Sequence, residues 1–181
     1  KVVQWAFLIE DTAQMRERLN AGKVEESTTF NLPPEHFERG HLKIVAVFHY
    51  MIGNTDWSLA TYKNLKLIEK NGKIIAVPYD FDFTGLVNSV YFAPSSDYGL
   101  TSRYQRVYLG FPEDMADLHT AIHSVAGKRP VLERIIRDFK HLPWSSRKDM
   151  LDYLARFFDN PDVVKQGERV LAGGACSVLR T

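Results

Sequence analysis

Apolar positions recur along this 181-residue chain with two periods, and the changes from one to the other mark its expected elements. The opening run from Val2 to Ile9 reads as a buried strand rich in β-branched and aromatic residues. Thr12 to Leu19 then places Met15 and Leu19 four apart, with Asn20-Ala21-Gly22 as a stop, which predicts a short surface helix. Residues 23 to 32 read as loop. Phe37, Ile44, Val45, Phe48, Met51 and Ile52 share one helical stripe, so a long helix is expected from Pro34 to Ile52, ended by Gly53. Two strands, Tyr62 to Glu69 and Ile74 to Tyr79, flank Asn71-Gly72, a pair that supplies the positive φ angles of a type I′ hairpin turn. In the first of them Leu65 and Leu67 belong to one face.

Residues 86 to 112 are rich in Asn, Ser, Pro, Gly and Tyr, a length and composition that suit a functional loop. Helical spacing returns afterwards. Pro112-Glu113-Asp114 opens a segment carrying Met115, Leu118, Ile122 and Val125, and Pro130 opens another carrying Leu132, Ile135, Ile136 and Phe139. Ser146 to Asp149 resembles a capping box ahead of Leu151, Leu154 and Phe158, and Asn160-Pro161-Asp162 is expected to cap a last helix. One hairpin with segregated helices is an α+β pattern, read as a single domain or lobe over residues 1 to 181. Its parts are a strand and short helix over 1 to 22, a central core over 33 to 88 and a helical part over 112 to 181.

Composition narrows the functional classes. With 45% apolar residues the chain can build a core that buries roughly 70% of its unfolded surface, so no staple is required. The lone cysteine, Cys176, excludes an internal disulfide framework and a multi-cysteine zinc site. A net charge of +1 argues against non-specific nucleic-acid binding, although residues 127 to 181 are the more basic part. The longest apolar stretch, Ile44 to Ile52, is interrupted by His49 and is far shorter than the roughly 20 residues that span a bilayer. Neither a targeting signal nor a compartment is readable.

The densest chemistry is acidic. Asp56 follows the long helix, and Asp80 and Asp82 end the second hairpin strand, an order of helix, polar loop and tight hairpin that can bring Asp56 and Asp80 together. Carboxylates held close repel and persist when a cation or a shared proton compensates. With the amide oxygen of Asn64 they form a hard-oxygen set suited to Mg²⁺, which binds through one or two carboxylates and substrate phosphates.

This order of parts resembles the C-terminal lobe of a protein kinase, most of all the atypical CotH-type and HipA-type bacterial kinases. The resemblance rests on Asn54-Thr55-Asp56 and Tyr79-Asp80-Phe81-Asp82, and covers roughly residues 4 to 88. It implies a mainly helical lobe with a small antiparallel hairpin carrying the acidic site. Gln4 to Asp11 would be the hinge strand, with Glu10 and Asp11 beside the nucleotide. Asp56 would orient an acceptor hydroxyl and take its proton, while Asn64 and Asp80, with Asp82, would hold Mg²⁺ against the phosphates of ATP. The acceptor would be a protein or a small molecule. The sequence departs from ordinary kinases in lacking His-Arg-Asp, Asp-Phe-Gly, a Gly-rich loop and a Val-Ala-Ile-Lys-like lysine, so the nucleotide-covering lobe is expected upstream.

Two further readings use the same residues. Asp80-x-Asp82-x-Thr84 after an apolar strand resembles the first motif of haloacid-dehalogenase-type phosphatases, which would make Asp80 a nucleophile and Asp82 a general acid/base. That family needs a parallel sheet with βαβ units downstream, where this chain shows a hairpin and then helices. The non-enzymatic reading is a pseudokinase or interaction module, with the segment from Arg103 to Tyr108 as contact surface and Arg103 and Arg106 available to a phosphate or acidic partner. His119 and His123 have the spacing of a zinc pair, but Thr120 stands where the metalloprotease motif has Glu, so they read as ordinary helix residues. Ser95-Ser96-Asp97 lacks the framing of a serine hydrolase, and Trp57 reads as packing beside Asp56.

Overall fold

A short helix, α1 (Thr12–Leu19), starts where the Asp11 carboxylate accepts the Ala13 amide at 2.8 Å, and stops at Asn20 in the left-handed region. The computed structural model of the chain describes residues 8–24, 32–111 and 115–160. Most of the expected opening strand, the Pro112-Glu113-Asp114 opener, the last helix from Pro161 onward and Cys176 lie outside the described residues. Leu8 and Ile9 belong to no strand.

The sheet has three antiparallel strands in the order β1 (Gly22–Lys23), β2 (Leu65–Lys70), β3 (Lys73–Pro78). The hairpin register pairs Leu65 with Pro78 and Lys70 with Lys73, and both turn residues, Asn71 and Gly72, have the positive φ angles of a type I′ turn. The two-residue β1 corrects the expectation of loop from residue 23: Gly22 and Lys23 pair with Glu69 and Ile68. Such a strand has too few residues to show an alternation. Lysines on one face of β2 hold α1 against the sheet, with Lys66 Nζ donating to the Glu10 carbonyl at 2.6 Å and Lys70 Nζ to the Leu19 carbonyl at 2.9 Å. Met15 and Ile68, midway along the two elements, are both buried there.

The other sheet face meets α2 (Arg39–Ile52). The expected start at Pro34 is corrected by a break: Pro34–His36 form one 3-10 turn, Phe37 makes a bridge to Ile74, and only then does Glu38 cap α2 by accepting from the Gly40 and His41 amides. The stripe misses this break because Phe37 is buried like Val45, Met51 and Ile52, although as a sheet-edge residue, while Ile44 of the expected stripe is exposed. Gly53 ends α2 with φ +65°, as expected of a C-terminal glycine.

The remaining helices are α3 (Met115–Ala126), α4 (Arg129–Asp138) and α5 (Trp144–Phe158), with α3 and α5 packed on α2. The capping box expected at Ser146 is corrected, because α5 begins two residues earlier, after Pro143 and without a side-chain cap. Asp149 instead faces Arg103 at 3.8 Å. In α4 only Ile136 of the expected stripe is fully buried, and Ile135 and Phe139 remain exposed. The chain is thus an α+β protein, mainly helical among the described residues, with a small antiparallel sheet. No helix of the described residues is long and apolar enough to cross a membrane. The parallel sheet that the phosphatase resemblance requires is not formed by any described strand pair.

Candidate functional site

Two loops, one after α2 and one after β3, are knitted into a single backbone platform beneath the acidic residues. Gly85 N donates to the Gly53 carbonyl at 3.2 Å, Leu86 N to the Ile52 carbonyl at 3.1 Å, and Asn54 and Thr84 form an antiparallel bridge. Both bridge residues are buried polar groups whose hydrogen bonds are supplied locally. Asn54 Oδ1 accepts the Asp56 amide at 2.7 Å, and Asn54 Nδ2 faces His49 Nδ1 at 3.0 Å. Thr84 Oγ1 donates to the Phe81 carbonyl at 2.9 Å and accepts the Val87 amide at 3.1 Å. The turn that carries Asp56 and the turn that follows Asp82 therefore share one support.

Asp56 receives Asn64 twice: Asn64 Nδ2 donates to the Asp56 carbonyl at 2.7 Å and to its carboxylate Oδ2 at 3.0 Å. Lys63 Nζ forms an ion pair with the other carboxylate oxygen, Oδ1. The Asn64 carbonyl in turn accepts the Tyr79 amide at 3.1 Å, so the residue before β2 is tied to the residue just ahead of Asp80. Tyr62, Asn64, Asp80 and Asn88 all have positive φ, a clustering of sparsely populated backbone conformations around this one region.

Asp80 and Asp82 form a charged couple in a tight turn, with Asp82 N donating to Asp80 Oδ1 at 3.4 Å. Sharing a hydrogen bond with Asp82 raises the Asp80 carboxyl above the usual carboxylate range, and the negative charge of Asp56 adds to the effect. Asp82 is held below that range, first by the Tyr91 hydroxyl, which donates to Oδ2 at 2.5 Å, and next by Asp80. Ser89 Oγ donates to the Asp82 carbonyl at 3.0 Å. Asp56, Asn64, Asp80 and Asp82 are thus brought into one neighbourhood, and Asp80 feels both other carboxylates. Among the described residues no three His, Cys, Asp or Glu side chains form a ready-made metal cage. The oxygens present are the two coupled carboxylates of Asp80 and Asp82, with the Asn64 amide held on Asp56, and carboxylate and amide oxygens are donors suited to a hard cation that keeps its waters.

The other expected site residues have different work. Glu10 pairs with Arg18 through two bonds at 2.8 and 2.7 Å, and Asp11 caps α1. Arg106 is half-buried, lies 4.0 Å over the Tyr153 ring, and donates to the Met51 carbonyl at 3.0 Å and the Tyr153 carbonyl at 2.7 Å, which ties α2 to α5. Arg103 leans on Tyr104 and Asp149. His119 and His123 gain no third ligand among the described residues.

Sequence reasoning missed Lys63, Tyr91 and His49. Lys63 was legible as the one cation between Asp56 and Asn64, while Tyr91 sat unremarked in a loop already read as functional. His49 is fully buried, stacked on Trp57 with ring centroids 4.2 Å apart, and burial lowers its pKa from 6.5 to about 3. It is therefore a neutral strut beneath the Asn54 turn. Because its folded pKa is depressed, its support is complete above the unfolded value of 6.5 and is lost as pH falls from there toward about 3. Acid unfolding followed by fluorescence should show a steeper fall in stability for the natural chain than for His49→Gln, the difference approaching about 1.4 kcal/mol per pH unit between pH 6 and 4. Identical slopes would mean that His49 takes up its proton in the folded state.

Compared with known protein families, curated proteins and solved structures, the chain has no match.

Proposed function

We propose that this chain is the catalytic lobe of an atypical kinase-like phosphotransferase, moving a phosphoryl group from ATP to a hydroxyl of a protein or small molecule. The observation that carries this reading is the convergence of Asp56 and Asn64, from one loop, with Asp80 and Asp82, from another, on the platform made by Asn54 and Thr84. In this role Asp56 orients the acceptor hydroxyl and accepts its proton, and Asn64 and Lys63 fix the carboxylate's direction. Asp80, Asp82 and the remaining oxygen of Asn64 are the groups that would hold Mg²⁺, whose charge would offset that of the phosphates. The raised Asp80 carboxyl is consistent with that role, since a cation relieves the repulsion that favours its proton.

A Gly-rich phosphate loop and a Val-Ala-Ile-Lys-like lysine do not occur in this sequence, so in this role the phosphates would need further groups to cover them. Calorimetric titration of the longest natural form with ATP, with and without Mg²⁺, is the direct test. The expected result is binding that requires Mg²⁺ and that Asp80→Asn removes. Binding that ignores both the metal and the substitution would overturn the reading. The phosphatase alternative gains nothing from the antiparallel hairpin.

A further inference from the structure

On the far side of the Arg106 clamp, a cavity of about 540 Å³ opens between the loop around Tyr104 and the last turn of α5. Tyr50, Tyr104 and Phe157 give it apolar walls, and Arg106 and Arg156 bring two guanidinium groups to it. We propose that this cavity binds a phosphate monoester, with Arg156 as the principal anion contact and Arg106 as the second positive charge.

Three features support the assignment. Arg156 lies 4.2 Å over the Tyr104 ring, and no carboxylate or carbonyl among the described residues accepts from its guanidinium. A guanidinium laid on an aromatic face, with no acceptor among the described residues, offers its planar fork to a phosphate or carboxylate. The one acidic side chain of the cavity, Asp159, is already engaged by Arg129 at 2.5 Å. Arg106 is held by three backbone carbonyls, those of Met51, Tyr104 and Tyr153, so its guanidinium is kept at the cavity beside Arg156. Burial lowers the pKa of Arg106, and the charge of Arg156 adds to this. Holding two cations together at a partly enclosed site is unfavourable until an anion arrives, and a dianion neutralises both. The volume exceeds that of a bare phosphate, and its Tyr and Phe walls suit the organic body of an ester.

The site is separate from the acidic loops and does not rest on the kinase-like reading. Phenyl phosphate, inorganic phosphate and benzoate serve as probes, titrated into the full chain and followed by calorimetry. Phenyl phosphate should bind more tightly than either of the others, and Arg156→Gln should weaken it about tenfold or more, an effect of the size expected for a charge-assisted bidentate contact. Arg156 is exposed on α5, so the variant should keep the melting temperature of the natural chain, and Arg156→Lys should recover only part of the affinity. Asp80→Asn should leave phenyl phosphate binding intact. Unchanged affinity in Arg156→Gln, benzoate binding as tightly as phenyl phosphate, or loss of binding in Asp80→Asn would each overturn the assignment.

Discussion

Replacing Asp56 by Asn should lower phosphoryl transfer by about 10²- to 10⁴-fold, the range expected for loss of a positioned general base, while Mg²⁺-dependent ATP binding survives. The separation follows from the geometry of the proposed site. Asp56 is held by Asn64 and Lys63, and an Asn side chain at 56 keeps an oxygen for one of them, so the loop is retained while the proton acceptor is lost. Asp80 differs in kind, because it belongs to the coupled carboxylates that would meet the metal. Asp80→Asn should therefore remove nucleotide binding and transfer together. A radiolabelled phosphate-transfer assay, combined with calorimetry on both variants, distinguishes the two roles. Retained transfer in both would sink the kinase-like reading, and partner binding unaffected by loss of Asp56, Asp80 and Asp82 together would favour a non-catalytic interaction module.

The second large effect concerns stability. Gly53→Ala should destabilise the fold by about 2–4 kcal/mol, since the new methyl group overpacks a filled space and a positive φ disfavours any Cβ. At Gly53 φ is +65° and a Cβ would overlap the Tyr153 hydroxyl, whose own oxygen is buried without a hydrogen-bond partner among the described residues. For a chain of this length the corresponding fall in melting temperature is about 5–15 °C. Tyr153→Phe removes the overlapping oxygen and leaves the ring carbon Cζ at 3.2 Å, so the double variant should regain part of the loss. Gly85→Ala should not be rescued in this way, because its Cβ also meets the Arg103 carbonyl at 2.5 Å and Tyr153 Cζ at 2.7 Å. Thermal unfolding of the three single variants and the two double variants, with the natural chain as reference, measures the coupling. Equal rescue at both glycines would show that the loops relax around Tyr153. The loops in question carry Asp56 and Asp82, so Gly85→Ala is also expected to impair any chemistry of the acidic site.

Much of the fold was legible because its signals are local. The end of α1 followed from the stop at Asn20-Ala21-Gly22, and the hairpin from Asn71-Gly72, whose backbone conformation few other pairs adopt without strain; the Asp11 cap at its start was read instead as a nucleotide contact. The end of α2 followed from Gly53 for the same reason. Its start was not legible, because the burial of Phe37 is the same whether it belongs to a helix or to a bridge with Ile74. Ser146 had the pattern of a cap, yet α5 begins after Pro143, where no side chain caps it.

The sequence by itself determined which residues could do chemistry, and it did so through residue type and short spacing: acidic side chains next to turn-forming residues, and an amide a few positions away. It also determined most of the helices and the hairpin, whose stabilising contacts lie within a few residues of one another. Only the tertiary structure decided that Asp56 and Asp80 share a neighbourhood, because that depends on the Asn54–Thr84 bridge and the Asn64–Tyr79 bond, which join loops on either side of the hairpin. It likewise decided that Arg106 would clamp α2 to α5 and that Arg156 would face a cavity, since Arg106 and Arg156 lie 50 positions apart. Local preferences are set by φ and ψ at single residues, whereas these encounters depend on closing the chain over tens of residues, and no spacing in the sequence encodes that closure.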